Sequence, residues 1–312
     1  VTRSRRKGRN IDGILVLDKP DGMTSNAALQ AVKHVFYAQK AGHTGSLDPL
    51  ATGVLPICFG QATRFSQFLL EADKAYEATI RLGVSTDSGD ADGKVLETRQ
   101  VPELDEAIWE SALSKFRGTI SQIPNMFSAI KVDGQPLYKL ARQGIEVERE
   151  PREITVRSLI LREHAGDEVR LGIRCSKGTY IRCLAQDLGD ELGCGAHVTD
   201  LRRVSSGPFD IESAVSLDQI TALAEAQDFA TLATYLLPVS TAVSDLPEVT
   251  LPHLSAHYLS QGQPVQVARA PTGGLVQLFS ESKDEPVFLG VGEIDDDGLV
   301  APRRLLSGND TK

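Results

Sequence analysis

The spacing of apolar and polar residues changes several times along the 312-residue chain, and each change predicts an element. Ile14, Leu15, Val16 and Leu17 form a short apolar run stopped by Asp18-Lys19-Pro20-Asp21-Gly22, which predicts a strand closed by a turn. Thr24 and Ser25 stand where a helix cap belongs, ahead of Leu29, Val32, Val35 and Phe36 on one helical face. Residues 42–65 break this regularity. Gly42, Gly45, Gly53 and Gly60, with Pro49 and Pro56, interrupt an otherwise apolar run whose only carboxylate is Asp48. Pro49 disfavours helical backbone at Asp48, so the acid is expected at a bend. Two local readings stand: a cap for a helix starting near Pro49 or Gln61, and an acid held rigidly as a nucleophile or ligand anchor. Phe65, Phe68 and Leu69 have helical spacing, so the loop is expected to lead into a packed helix.

From Tyr76 the period becomes two: Tyr76, Ala78, Ile80 and Leu82 alternate with Glu77, Thr79 and Arg81, a strand with Tyr76 at the start of its apolar face. A rim tyrosine of the core satisfies this pattern as well as a functional one. Leu104, Ile108, Trp109, Ala112, Leu113 and Phe116 predict an amphipathic packing helix. Residues 122–151 have weak periodicity and mix Lys131, Lys139, Arg142, Arg149 and Tyr138 with Glu146, Glu148 and Glu150, which suits either a nucleic-acid grip or a solvated surface. Strands are predicted over residues 154–161 and 169–175. A Ser176-Lys177-Gly178-Thr179 turn then opens a helix with Ile181, Leu184, Ala185, Leu188 and Leu192 on its buried stripe. Arg182 falls in the first turn, where a cation opposes the helix dipole at a cost of about 0.3 to 1 kcal/mol and calls for a compensating anion or good solvation. Asp48 is the anion expected. With that single partner, loss of Arg182 is expected to cost activity and little of the fold. Helical Ala- and Leu-rich segments run to about residue 237, then Pro238, Pro247 and Pro252 mark a linker. Residues 275–279, 287–291 and 299–303 read as strands of a small all-β module.

Composition narrows the function classes. The length predicts about two domains, and 41% hydrophobic with 24% charged residues describes an ordinary globular protein. No apolar run approaches the roughly 20 residues of a membrane helix, and the basic start is not a signal sequence, so a cytoplasmic protein is expected. Cys58, Cys175, Cys183 and Cys194 form no Cys-x-x-Cys pair and predict reduced core residues. The calcium-like strings at 86–93 and 295–298 put Arg99 and Arg304 where a bidentate glutamate belongs, and no P-loop or dinucleotide fingerprint occurs. A net charge of -9 argues at face value against nucleic acid, yet Arg3, Arg5, Arg6, Lys7 and Arg9 concentrate in the first ten residues. A serine hydrolase built on His43, Ser46 and Asp48 is disfavoured, because Gly45-Ser46-Leu47 lacks the Gly-x-Ser-x-Gly elbow.

The string Gly-His-Thr-Gly-Ser-Leu-Asp-Pro-Leu-Ala-Thr-Gly-Val-Leu-Pro over 42–56 closely resembles the signature of the TruB family of tRNA pseudouridine-55 synthases. The opening Asp18-Lys19-Pro20-Asp21-Gly22-Met23-Thr24-Ser25, the Lys-Gly-Thr-Tyr-Ile-Arg of 177–182 and the Gly-Ala-His-Val-Thr-Asp-Leu-Arg-Arg of 195–203 extend the likeness. The resemblance implies an α+β pseudouridine synthase fold, a central mixed, largely antiparallel sheet flanked by helices and loops, with a small C-terminal PUA-like β-barrel. It divides the chain into a basic tail at 1–10, a catalytic domain at 11–245 with an RNA-gripping arm at about 122–151, and an RNA-binding domain at 250–308. The implied reaction converts a T-loop uridine of tRNA to pseudouridine without cofactor or metal, in a monomer that binds the tRNA T stem-loop and no membrane. Asp48, Tyr76 and Arg182 would be catalytic, Arg182 keeping Asp48 charged and aimed. His43, Tyr76, Tyr180 and Leu201 would hold the nucleotide, and Lys19, Lys131, Arg142 and Lys177 would touch RNA. Extruding a base costs a few kcal/mol, and one compensating stack returns about 1 to 3 kcal/mol. His43 is the candidate for that stack, while a histidine bonded into the Gly-rich turn remains the plain alternative. Two rival functions stand beside this one: an RNA-binding or tRNA-folding module, and a guide-dependent synthase working inside an RNA-protein complex.

Overall fold

The computed structural model describes residues 8–132, 134–267, 271 and 273–307. Arg3, Arg5, Arg6 and Lys7 of the expected tail lie outside the described residues. The chain forms two units, one of Val1–Leu47, Val54–Leu70 and Pro208–Lys312, the other of Asp48–Gly53 and Glu71–Gly207.

In the first unit the apolar run near the start becomes the strand Gly13–Lys19, paired in parallel with Val215–Ser216. Thr24 accepts a hydrogen bond from the Ala27 N–H at 3.1 Å and so caps the helix Ser25–Val35. Ser25 Oγ bonds both the N–H and the C=O of Leu47, at 2.7 and 3.1 Å, and thereby fixes the loop ahead of residue 48. Residues 51–59, expected as loop, instead form the strand Ala51–Phe59. Its pairing with Ala41–His43 ends at Ile57 and its pairing with Ala196–Ser206 ends at Gly53, so Pro56, which has no N–H to give, falls between the two ladders. Ile14, Val16, Val54, Cys58, Phe65 and Leu69 close the core, and the Phe288 ring meets Phe65 at 5.5 Å. The C-terminal five-stranded sheet runs in the order Glu248–Leu251, Gly274–Ser280, Val287–Ile294, Leu299–Leu305, Val265–Gln266. This part is not all-β: the helix His253–Ser260 packs Ala256 and Leu259 into the same core. Pro252 before it reads equally well as a linker proline, because proline is compatible with a helix start.

The second unit is a mixed sheet, Ala51–Gly53 beside Ala196–Ser206, then Lys74–Leu82, Glu168–Cys175, Arg152–Ala165 and Gly118–Gln122. Only the first pair is parallel, with Leu201 opposite Ala51 and Arg203 opposite Gly53; the rest are antiparallel. A Cβ on Gly53 would stand 2.2 Å from the Arg203 carbonyl oxygen, and its φ is 99°, so only glycine lets these two backbones approach. The helix Ile181–Glu191 buries Ile181, Leu184, Ala185 and Leu188, with Leu192 just beyond it, as the stripe predicts, and Asp105 caps Glu106–Ser114. Residues 122–151 contain a two-stranded turn, Lys131–Val132 with Gln135–Pro136, and the short helix Leu137–Ala141. All four cysteines are buried free thiols. Burial pushes Cys58, Cys175 and Cys183 up to about 11.

Candidate active site

Asp48 sits on a turn closed by the Ala51 N–H donating to the Asp48 carbonyl oxygen at 3.1 Å, and the chain leaves it as a strand. The helix-cap reading falls: the chain runs from Pro49 into a strand, and the 3-10 helix Gly60–Arg64 takes Asp12, not Asp48, on its Gln61 N–H. Both carboxylate oxygens instead meet Arg182: Nε lies 2.8 Å from Oδ2, and Nη2 donates to Oδ1 at 3.3 Å. A guanidinium fork fits a carboxylate in two parallel bonds, which fixes direction as well as charge. The Asp48 side chain keeps 39% of its surface exposed while Arg182 keeps 4%. One partner is buried scaffold and the other is presented outward.

Arg182 is more heavily compensated than the sequence predicts. Its Nη1 donates to the Ser88 carbonyl at 2.8 Å and lies 3.4 Å from Asp90 Oδ2, and its Nη2 donates to the Phe127 carbonyl at 2.9 Å. Two carboxylates and two carbonyl dipoles thus offset both desolvation and the unfavourable helix dipole. Asp90, with 7% of its side chain exposed, accepts from Ser88 Oγ and from the Asp92 N–H. Sequence reasoning weighed the 86–93 string only as a calcium loop and so missed its carboxylate as an arginine partner. The dense Asp and Gly pattern was the available signal.

Tyr76 is half-buried on the strand Lys74–Leu82, directly across the ladder from Arg203 on one side and Ile173 on the other. Burial raises its phenol pKa, the buried Arg203 opposes that rise, and the Asp48 charge adds to it. The phenol is accordingly protonated at neutral pH. Arg203, 1% exposed, is a second group missed from sequence, where it figured only as the end of a motif. Leu201 is buried between Ala51 and Ala78 on the neighbouring strands. Tyr180 immediately precedes the Arg182 helix, and burial raises its phenol pKa as well. Asp48, Tyr76, Tyr180, Arg182 and Leu201 all belong to the second unit, whereas His43 lies on the strand Ala41–His43 of the first, opposite Ile57. Lys131 and Arg142 are exposed, the latter 5.6 Å from the Tyr138 ring centre, and the exposed Lys177 pairs with Glu71. Lys19 is a correction: it is fully buried and its ammonium donates to the Pro20 and Met23 carbonyls, so it holds a turn rather than a phosphate. Among the described residues no cluster of three or more His, Cys, Asp or Glu could hold a metal, and no helix is long and apolar enough to cross a membrane.

Lys74, two residues before Tyr76, is 6% exposed, and burial, then repulsion from Arg203, lowers its pKa to about 8 from 10.5. Between those values the unfolded chain binds the proton and the folded one does not, so this lysine makes stability rise with pH from about 8 to about 10.5. Lys74→Met is expected to flatten that rise, which is on the order of 3 kcal/mol in all. Thermal melts of both proteins at pH 7 and at about pH 9.5 measure it. An equal pH response in the two would exclude Lys74 as its source.

Three family matches cover most of the chain: residues 33–181 match "TruB family pseudouridylate synthase (N terminal domain)", 182–244 "tRNA pseudouridylate synthase B C-terminal domain" and 247–306 "Pseudouridine synthase II TruB, C-terminal". Among curated relatives, tRNA pseudouridine synthase B of Tolumonas auensis is 53% identical over 310 residues, covering 97% of this chain and 95% of its own length. The protein of the same name from Aliivibrio fischeri is 52% identical over 97% of this chain and 96% of its own. Among solved structures, a chain of an H/ACA RNP bound to a substrate RNA containing 2'-deoxyuridine superposes with a TM-score of 0.72 at 25% identity, covering 96% of this chain and 86% of that one. A chain of a Cbf5-Nop10-Gar1 complex gives 0.71 at 26% identity, over 94% and 84%.

Proposed function

Because the chain belongs to the TruB family of pseudouridylate synthases, we propose that it isomerises uridine 55 in the T loop of tRNA to pseudouridine. The observation that carries this reading is the buried Arg182 fork holding an outward-facing Asp48 in the same unit as Tyr76. The reaction breaks the bond from N1 of the base to C1' of the ribose, turns the base, joins C5 to C1', and moves the C5 proton off while N1 gains one. Atoms and electrons balance within the nucleotide, so no co-reactant is consumed.

Asp48 is the group that acts on the extruded nucleotide, and Arg182 keeps its oxygens aimed. The Tyr76 ring stacks on the base, with Leu201 against its other face and Tyr180 at the margin. The Tyr76 phenol, which burial keeps protonated, assists removal of the C5 proton by passing its own proton on as it takes that one. His43 takes the place of the extruded base in the loop, and Lys131, Arg142 and Lys177 meet phosphates along the T stem. The enzyme works as a cytoplasmic monomer, without metal or cofactor.

The test is release of tritium from C5 of labelled uridine, with carbodiimide mapping of the product, on an unmodified T-arm hairpin treated with the isolated chain. Pseudouridine at position 55 alone is the expected result. Tight binding without product would leave an RNA-binding or RNA-folding module. Product formed only after a guide RNA and partner proteins are added would move the chain to the guide-dependent class.

A further inference from the structure

Gln122 ends the strand Gly118–Gln122, at the point where the 122–151 arm leaves the sheet, and is only 2% exposed. Its side-chain amide pairs with both backbone polar groups of one residue on another element. Oε1 accepts the Tyr180 N–H at 2.8 Å, and Nε2 donates to the Tyr180 carbonyl at 3.1 Å. Tyr180 is the residue from which the Arg182 helix starts, and no side chain of its own caps that start. The amide therefore fixes the backbone from which the helix starts, without pairing any of the helix's own first-turn N–H groups.

Two further contacts tie the arm's root to the same helix. Asn125 Nδ2 donates to Gln186 Oε1 at 3.2 Å, while its Oδ1 accepts the Phe127 N–H at 2.9 Å. The Phe127 carbonyl in turn accepts from Arg182. The base of the arm and the first two turns of the helix are thus cross-linked by partly buried hydrogen bonds, with Gln122 at the joint.

We propose that Gln122 is a positioning residue for the isomerisation: its two bonds to the Tyr180 N–H and C=O make the arm's root and the Arg182 helix move as one body, so that seating RNA under the arm sets the guanidinium that aims Asp48. The inference rests on the pseudouridine synthase reading above. Gln122 touches no reacting atom and acts only through Arg182. A displacement of a catalytic group by about 1 Å can cost on the order of a hundredfold in rate, whereas phosphate contacts by Lys131 and Arg142 of the arm do not depend on that alignment.

The experiment compares wild type with Gln122→Ala and Gln122→Met under single-turnover conditions on the T-arm hairpin. Methionine keeps the length and apolar bulk of glutamine and removes both hydrogen bonds, so it separates alignment from packing. Both variants are expected to lose about ten- to a hundredfold in rate at saturating RNA, with the dissociation constant for RNA changed less than about threefold. Amide exchange at Tyr180 is expected to speed up in both. A Gln122→Met rate equal to wild type overturns the proposal. So does a lower melting temperature without a slower step, or a change confined to RNA affinity. A wild-type chain that makes no pseudouridine would remove the underlying function instead, and that result is visible in the same assay before any variant is compared.

Discussion

Asp48→Asn is expected to lower pseudouridine formation by at least about a thousandfold while leaving affinity for a T-arm RNA within about threefold of wild type. The two side chains have the same shape, so the turn of 48–51 and the bend before Pro49 persist. The negative charge is what changes. Asparagine offers one acceptor and one donor to a guanidinium that has only donors, so one of the two bonds to Arg182 is lost and the other turns the amide off its line. The Asp48 side chain is partly exposed, and Arg182 retains Asp90, Ser88 and Phe127, so stability changes little. Tritium release and filter binding on the same preparation measure both quantities. Turnover within tenfold of wild type would remove Asp48 from the chemistry.

Arg182→Ala is expected to be comparably inactive and, unlike Asp48→Asn, to destabilise the fold. Its loss strips the cation from Asp90, whose side chain is nearly all buried, and leaves the Ser88 and Phe127 carbonyls without this donor. Breaking a buried ion pair from one side costs about 3 to 5 kcal/mol, which for a protein of this size lowers the melting temperature by roughly 5 to 10 °C. The sequence, which offers Arg182 only one partner, predicts little effect on the fold; the second carboxylate reverses that. Arg182→Lys divides the two roles. It returns a charge to the site but not the planar fork, so the melt should recover most of the way while the rate stays about a hundredfold down. A lysine variant with full activity would mean that charge alone suffices.

What sequence reasoning caught and what it missed have physical reasons. Strands with one buried face and helices with one buried stripe announce themselves by period, and Lys74–Leu82, Glu168–Cys175 and Ile181–Glu191 do, while Gly13–Lys19, buried nearly throughout, shows as a short apolar run closed by a turn. The strand Ala51–Phe59 does not, because it is apolar throughout and carries Gly53 and Pro56, each ordinarily a breaker. Gly53 is there for a close backbone approach and Pro56 sits where two ladders have ended, facts set by neighbours distant in the chain. The pair of Asp48 and Arg182 was legible, since a cation in a helix's first turn calls for an anion or solvation and the resemblance puts Asp48 beside it. Asp90 was not, for a solvated turn and a buried ion-pair partner can share the same string. Lys19 erred in the opposite direction: the motif marks it, but its charge faces inward.

The buried thiols give each unit its own clock. At neutral pH a thiol with a pKa of about 11 is ionised in about one molecule in ten thousand, so modifying reagents find almost nothing to attack while the fold is shut. Cys58 belongs to one unit and Cys175 and Cys183 to the other, so mapping which cysteine acquires a label first tells which half of the protein breathes sooner.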